Sequence, residues 1–265
     1  MSTYFAPDSI AWKIHADPSL VVGGIRALLE QGLHPGAMAG VAAHSNFRED
    51  SWGRLTRTGE YVALVTYEER GVVDMAAKHV RDVHERLGLS DPHLLLWVHA
   101  SMVDAFLDNA RRSGMPITDA EADQYLAEMV TFAKLVGIPE VDVPASVNEL
   151  AQYMKDIYPE LIASEEAKKT SVFLLFPPMP KLVRFITPAT PLWAGVATLA
   201  GASLPDWARD LYGWPSIPGQ NIATDISLRT FRNATMRLPQ SLRESPLTKK
   251  ARDKANVKTQ EKMAK

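Results

Sequence analysis

The chain has 265 residues, of which 46% are hydrophobic and 23% charged, with a formal net charge of −2, seven histidines and no cysteine. That length suffices for a substantial core in one large domain, while the missing thiols exclude a disulfide scaffold and any thiolate ligation of metal or haem iron. The near-neutral balance offers nucleic acid no basic face, and neither a leader-like segment at Met1 to Trp12 nor an apolar run of about twenty residues occurs, so a soluble, cytoplasmic protein is expected.

Pro18, Gly23 and Gly24 open the first predicted helix, in which Ile25, Leu28 and Leu29 recur at helical spacing. It stops at Leu33-His34-Pro35-Gly36, because Pro35 disfavours helical geometry at His34. Val41 to Phe47 is too short to assign. Arg54 to Tyr67 reads as a helix with a polar first half, although its β-branched residues leave a strand open. Val72 to Leu87 is amphipathic: Val72, Ala76, Val80, Val83 and Leu87 form one stripe, opposite Lys78, Arg81, Asp82 and Glu85. Gly88 is a natural stop.

Pro92 then starts a segment, Leu94 to Leu107, that is apolar on nearly every side and so predicts a buried helix carrying His99. Thr118 and Glu121 form a capping box for a helix ending at Val136-Gly137, and Ser146 caps the next. From Ser171 to Leu204 the chain is apolar but broken by Pro177, Pro178, Pro180, Pro188 and Pro191, which predicts short helices laid over the core. Helices around Trp207 to Tyr212 and Ser227 to Leu238 follow. No repeat and no strand series appears. The expected architecture is all-α, a single domain over residues 1–245, with the Lys-rich residues 246–265 as a solvated tail.

The histidines are His15, His34, His44, His79, His84, His93 and His99, and none follows His99. Any tightly held metal or haem iron must therefore draw its imidazole from the N-terminal part. His79 and His84 flank the amphipathic stripe on opposite edges, ~140° apart at ~100° per residue, so they cannot grip one metal from the same face, and periodicity does not choose between them. Arg54, Arg57 and Thr58 share a helical face. Two guanidiniums and a hydroxyl there suit carboxylates such as haem propionates, or a bound oxygen species; they suit a solvated basic face equally. His99, within Trp97-Val98-His99-Ala100, needs a buried partner or a pocket. Glu128 poses the same question one helix later, either pairing with Arg54, Arg57 or His99 or facing solvent. Zincin, phosphate-loop, dinucleotide and serine-hydrolase signatures are absent.

Taken in order, several pieces carry a family resemblance: Asp8-Ser9-Ile10-Ala11-Trp12-Lys13-Ile14-His15-Ala16-Asp17-Pro18, Ala27-Leu28-Leu29-Glu30-Gln31-Gly32-Leu33-His34-Pro35, His44-Ser45-Asn46-Phe47, Arg54-Leu55-Thr56-Arg57-Thr58, Val83-His84, Leu96-Trp97-Val98-His99-Ala100 and Leu135-Val136-Gly137-Ile138-Pro139. Together they resemble the family of MpaB-type endoplasmic-reticulum oxygenases and latex-clearing protein, the rubber oxygenase, over roughly residues 8 to 155, with a looser likeness around Leu204-Pro205. No single piece is specific; the order is.

The resemblance implies a globin-like helix core able to hold haem b, with iron chemistry that cleaves isoprenoid double bonds using dioxygen. His84 matches the proximal histidine, and Arg54, Arg57 and Thr58 match the polar cluster on the distal side. One departure matters. Rubber oxygenase has a lysine at the position of Arg57, and that lysine can bind iron at rest. A guanidinium stays protonated and has no free lone pair, so Arg57 is not expected to ligate.

The expected function is a haem-dependent oxygenase acting with dioxygen on a small apolar, isoprenoid or lipid-like substrate, with His99 and Glu128 on the polar side of its pocket. The alternative is a non-catalytic lipid, terpenoid or haem binder on the same scaffold. The segment Phe173 to Leu204, with Phe185 and Trp193, adds an expectation of peripheral membrane contact, against the alternative of an apolar cover over the core.

Overall fold

A computed structural model describes residues 2–44, 51–176, 189–243, 248–250 and 253. Its α-helices, in chain order, are α1 Ile10–His15, α2 Leu20–Gln31, α3 Pro35–His44, α4 Ser51–Tyr67, α5 Arg70–Leu87, α6 Pro92–Arg112, α7 Asp119–Val136, α8 Val147–Ile157, α9 Glu165–Leu175, α10 Ala189–Ser203, α11 Asp206–Tyr212, α12 Gln220–Met236 and α13 Gln240–Arg243. Short 3-10 turns follow α7 and α8, at Glu140–Asp142 and Tyr158–Glu160. Among the described residues there is no strand, only an isolated antiparallel bridge between Thr3 and Glu69. The all-α reading holds.

The spine is α6. Asp91 caps it by accepting from the His93 amide at 3.0 Å, and Pro92 sits in the first turn, where a missing N–H leaves no bond unmade. Its buried residues face three apolar clusters, the smallest formed by Leu96 with Ala133, Ile138 and Val143. One gathers Ile14, Val65, Phe106, Leu126 and Met129 from α1, α4, α6 and α7. Another gathers Ile25, Leu29, Trp97, Leu204 and Leu228 from α2, α6, α10 and α12, including Leu204 just past the end of α10. The approach of α2 to α6 needs Gly23, because a Cβ there would lie 3.2 Å from the Ala105 carbonyl oxygen and 3.3 Å from the Asn109 Cβ. Gln31 and Trp97 then lock the pair, Gln31 Nε2 donating to the Val98 carbonyl at 3.0 Å and the indole to the Gln31 carbonyl at 3.2 Å.

The segment left open between helix and strand is helical: α4 satisfies its β-branched Thr66 internally, the hydroxyl donating to the Val62 carbonyl at 2.7 Å. α5 ends where expected, with Gly88 at φ 67° and the Leu89 amide donating to the His84 carbonyl at 2.8 Å. α7 begins with the expected capping box: Thr118 Oγ1 accepts from the Glu121 amide, and the Glu121 carboxylate from the Thr118 amide. Ser146 caps α8, as expected.

Pro35 behaves differently from expectation. It ends the preceding helix and also opens α3, since proline's fixed φ suits a first turn. The proline-broken segment contains a longer helix than expected, the 15-residue α10, with Pro191 in its first turn. Pro177, Pro178, Pro180, Phe185 and Pro188 lie outside the described residues, as do Ser45 to Phe47 and most of the Lys-rich C-terminus. The described part of that C-terminus is not wholly solvated: Thr248 is buried, and Lys250 pairs with Glu68 at 2.5 Å. No helix among the described residues is long and apolar enough to cross a membrane.

Candidate functional site

His84 sits in the last turn of α5, half-buried, while His79 is exposed on the same helix. The structure thus separates two rings that the helical pattern treated alike. Burial lowers the pKa of His84 from the ordinary imidazole value, so the ring is neutral at physiological pH, and its buried Nδ1 has no hydrogen-bond partner among the described residues. A neutral imidazole has a lone pair to give to a metal.

His99 lies deeper, 5% exposed on α6. Burial brings its pKa down to about 4, and its Nδ1 is also without a partner. Its ring tilts against Phe132 of α7 at 6.1 Å. Tyr61 of α4 meets the same phenylalanine edge-on at 5.9 Å, its hydroxyl buried, unpartnered and pushed by burial up to about 12. Arg81, one turn before His84, bears on Tyr61 electrostatically and donates to the Leu135 carbonyl at 2.6 Å, joining α5 to α7. Among the described residues, Tyr61 and His99 each leave a buried polar atom unsatisfied beside Phe132, and His84 leaves another on α5. Such atoms are rare in folded interiors, and a bound group is one way they are met.

An apolar cavity of about 350 Å³ lies on the other side of α4. Leu20, Ile25, Leu28, Val62, Met102 and Phe106 form much of its wall, and Thr58, Gln31 and His15 supply polar edges. Its size falls in the range used for small ligands. Thr58 is exposed on α4 at the mouth of this cavity, and Arg57 beside it is exposed as well; the side chain of Arg54 lies outside the described residues. His84 is not among the lining residues. Of the expected proximal and distal groups, Thr58 lines this cavity and His84 does not.

The sequence does not single out His15 as a site residue, yet it lines the cavity with both ring nitrogens engaged. Its Nδ1 lies 2.7 Å from Thr66 Oγ1 and its Nε2 3.1 Å from the Tyr125 hydroxyl. Thr66 spends its own proton on the Val62 carbonyl, so His15 Nδ1–H donates to Thr66, and the Tyr125 hydroxyl donates to Nε2. Burial agrees, bringing the pKa of His15 down to about 3 and that of Tyr125 well up. The ring is neutral, fixed in one tautomer and fully occupied. Its partners stand 51 and 110 residues away in sequence, so no local pattern could show them.

Glu128 is placed differently from any pairing with Arg57 or His99. One oxygen accepts from the Ala11 amide in the first turn of α1 at 2.8 Å, the other from Gln124 Nε2 at 2.9 Å. It holds an orphan helix donor across 117 residues of sequence, a capping role.

The residues present fit a haem-type group. Without cysteine, thiolate ligation is excluded, and His84 offers a neutral, half-buried ring with an unmet nitrogen. No curated protein and no solved structure matches this chain. The family described as ER-bound oxygenase mpaB/B'/rubber oxygenase, catalytic domain, matches residues 12–237, a span that includes α2 to α12 and every candidate residue above. The chain belongs to this family of oxygenase catalytic domains.

Proposed function

We propose that the chain is a haem b-dependent oxygenase that uses dioxygen on a small apolar substrate of isoprenoid or lipid-like character. The observation that carries the reading is His84, a neutral, half-buried imidazole with an unpartnered nitrogen in a cysteine-free member of an oxygenase family. His84 is the residue that would hold the haem iron, and when bound there haem supplies the activation of dioxygen, which no side chain of this chain can provide.

The chain's own residues supply the rest. Arg57 brings positive charge to α4 and cannot itself ligate iron, because a guanidinium is a donor with no free lone pair. Thr58 places a hydroxyl at the mouth of the apolar cavity, where it can orient a polar end of the substrate. The aliphatic and aromatic walls exclude water and select apolar ligands. His15, with both nitrogens engaged, shapes that wall rather than moving protons. His99 adds a neutral polar edge at the boundary with α7.

A second reading, ligand binding without turnover, is favoured by one observation: Thr58 and His15 line a cavity that His84 does not. Oxygen uptake separates the two. Haem-loaded protein given isoprenoid or fatty-acid candidates is expected to consume oxygen at least about tenfold faster than the His84→Ala variant, a factor corresponding to about 1.4 kcal/mol in the barrier. Saturable binding of the same compounds with no oxygen uptake establishes the second reading instead.

A further inference from the structure

His34, His93 and Glu160 take no part in the oxygenase reading. They come from three separate parts of the chain: the junction of α2 and α3, the first turn of α6, and the 3-10 turn after α8. Their donor atoms lie within 4.8 Å of one another. His93 Nε2 is 2.9 Å from Glu160 Oε2, and His34 Nε2 is 3.7 Å from the same oxygen. The two rings meet at 5.9 Å between centroids.

Each residue is positioned by a bond that does not involve the other two side chains. The Ile162 amide donates to the Leu33 carbonyl at 2.8 Å, fastening the turn that bears Glu160 beside His34. The Asp91 side chain caps α6 through the His93 amide. The Gly36 amide donates to His34 Nδ1 at 3.1 Å, holding the ring with Nε2 toward Glu160. That Nε2 is buried and makes no hydrogen bond, 3.7 Å being too long for one. Two imidazole edges therefore converge on one carboxylate oxygen, and one of them is left unsatisfied there.

We propose that His34, His93 and Glu160 form a binding site for a borderline divalent transition metal, zinc foremost, that clamps α3, α6 and the turn after α8 together. Two imidazoles and a carboxylate are a donor set favoured by zinc, nickel and copper, whereas magnesium and calcium take oxygen donors. His93 and Glu160 are half exposed, which leaves room for a solvent ligand to complete four-coordination. Loading takes one internal change. The Gly36 bond places the His34 proton on Nε2, and coordination through Nε2 moves that proton to Nδ1, so the Gly36 amide must let go. The site is independent of haem at His84.

The test uses tag-free protein stripped with chelator, studied both with and without added haem, and titrated with zinc chloride by calorimetry. The expected result is one saturable equivalent of zinc whose affinity falls at least about tenfold in His93→Ala and in Glu160→Gln. His79→Ala, which removes an exposed histidine elsewhere, leaves that affinity unchanged. Zinc is expected to raise the melting temperature of the wild-type chain and not of the two variants, and to shift the Gly36 amide resonance. Magnesium at the same concentration does neither. Both substitutions are at half-exposed positions, and their circular dichroism spectra confirm folding. Equal zinc uptake by wild type and His93→Ala, or no saturable uptake by the wild type, overturns the proposal, whatever the haem spectrum shows.

Discussion

Replacing Arg26 with alanine is expected to cost about 3 kcal/mol of folding free energy, at the lower end for one partner removed from a buried ion pair. Arg26 is 2% exposed and reaches three carboxylates: Nε donates to Glu30 at 2.7 Å, one terminal nitrogen to Asp104 at 2.9 Å, and the other to Asp108. Arg112, pairing with Asp108 and Asp225, is the nearest other cation of the network. The negative groups outnumber the positive ones, and burial combined with nearby carboxylates pushes Glu30 up to about 8, despite the opposing pull of Arg26. Glu30 is therefore mainly protonated at neutral pH. The loss in Arg26→Ala comes instead from Asp104, stranded without its counterion, from Asp108, left with Arg112 alone, and from the space the side chain leaves. Both aspartates keep some solvent contact, 30% and 40% exposed, which holds the loss below the top of the range. Glu30→Gln, which keeps a neutral acceptor for Arg26, is expected to cost less than about 1 kcal/mol. Urea unfolding at pH 7 measures both; an Arg26→Ala loss smaller than that of Glu30→Gln contradicts the assignment.

The second large effect is on pH. His15 and His99 are held neutral by burial, with pKa values of about 3 and about 4, against an ordinary 6.5. A base with a depressed native pKa stabilises the fold above its unfolded value and loses that stabilisation as pH falls. Glu30, raised from 4.5 to about 8, works the other way: its contribution is complete below 4.5 and fades as pH rises to 8. Between pH 4.5 and 6.5 the unfolded chain thus binds two more protons on the histidines and one fewer on Glu30. Stability then rises with pH at about 1.4 kcal/mol per unit. Between 6.5 and 8 only Glu30 titrates, and stability falls at about the same slope.

The two histidines thus remove stability as pH falls below 6.5 and Glu30 removes it as pH rises toward 8, so these three groups favour a stability maximum between those limits. Urea midpoints across that range read it directly. Glu30→Gln is expected to flatten the alkaline limb while leaving the acid limb in place. A wild-type profile that climbs from 6.5 to 8 contradicts the protonated Glu30.

Helices with their own periodicity and caps were legible in the sequence. The stop at Gly88, the capping box at Thr118 and the burial of the Leu94 run appear as expected, whereas the stripe read from Val72 is out of register, because Val72 is exposed and α5 buries Val73 and Ala77 instead. What failed to show was whatever depends on distant partners. α1 has only six residues, and one of its first amides is satisfied by Glu128 from α7. Helix propensity in a segment that short is too weak to reveal it. Arg26 and Glu30 stand four residues apart, a spacing any helix offers, and only the packing of α2 on α6 turns them into a buried network.

The site shows the same division. Periodicity left His79 and His84 equivalent, because both flank the stripe; their difference in exposure is set by α5 packing against α7. The tautomer and partners of His15, and the convergence of His34 and His93 on Glu160, exist only once the chain is folded.

The central claim is that iron is held by His84, and the absorption spectrum of protein expressed with ample haem tests it most directly. The account predicts a Soret band that is retained in His79→Ala and lost or displaced in His84→Ala. A spectrum without that band, or one unchanged by His84→Ala, contradicts it.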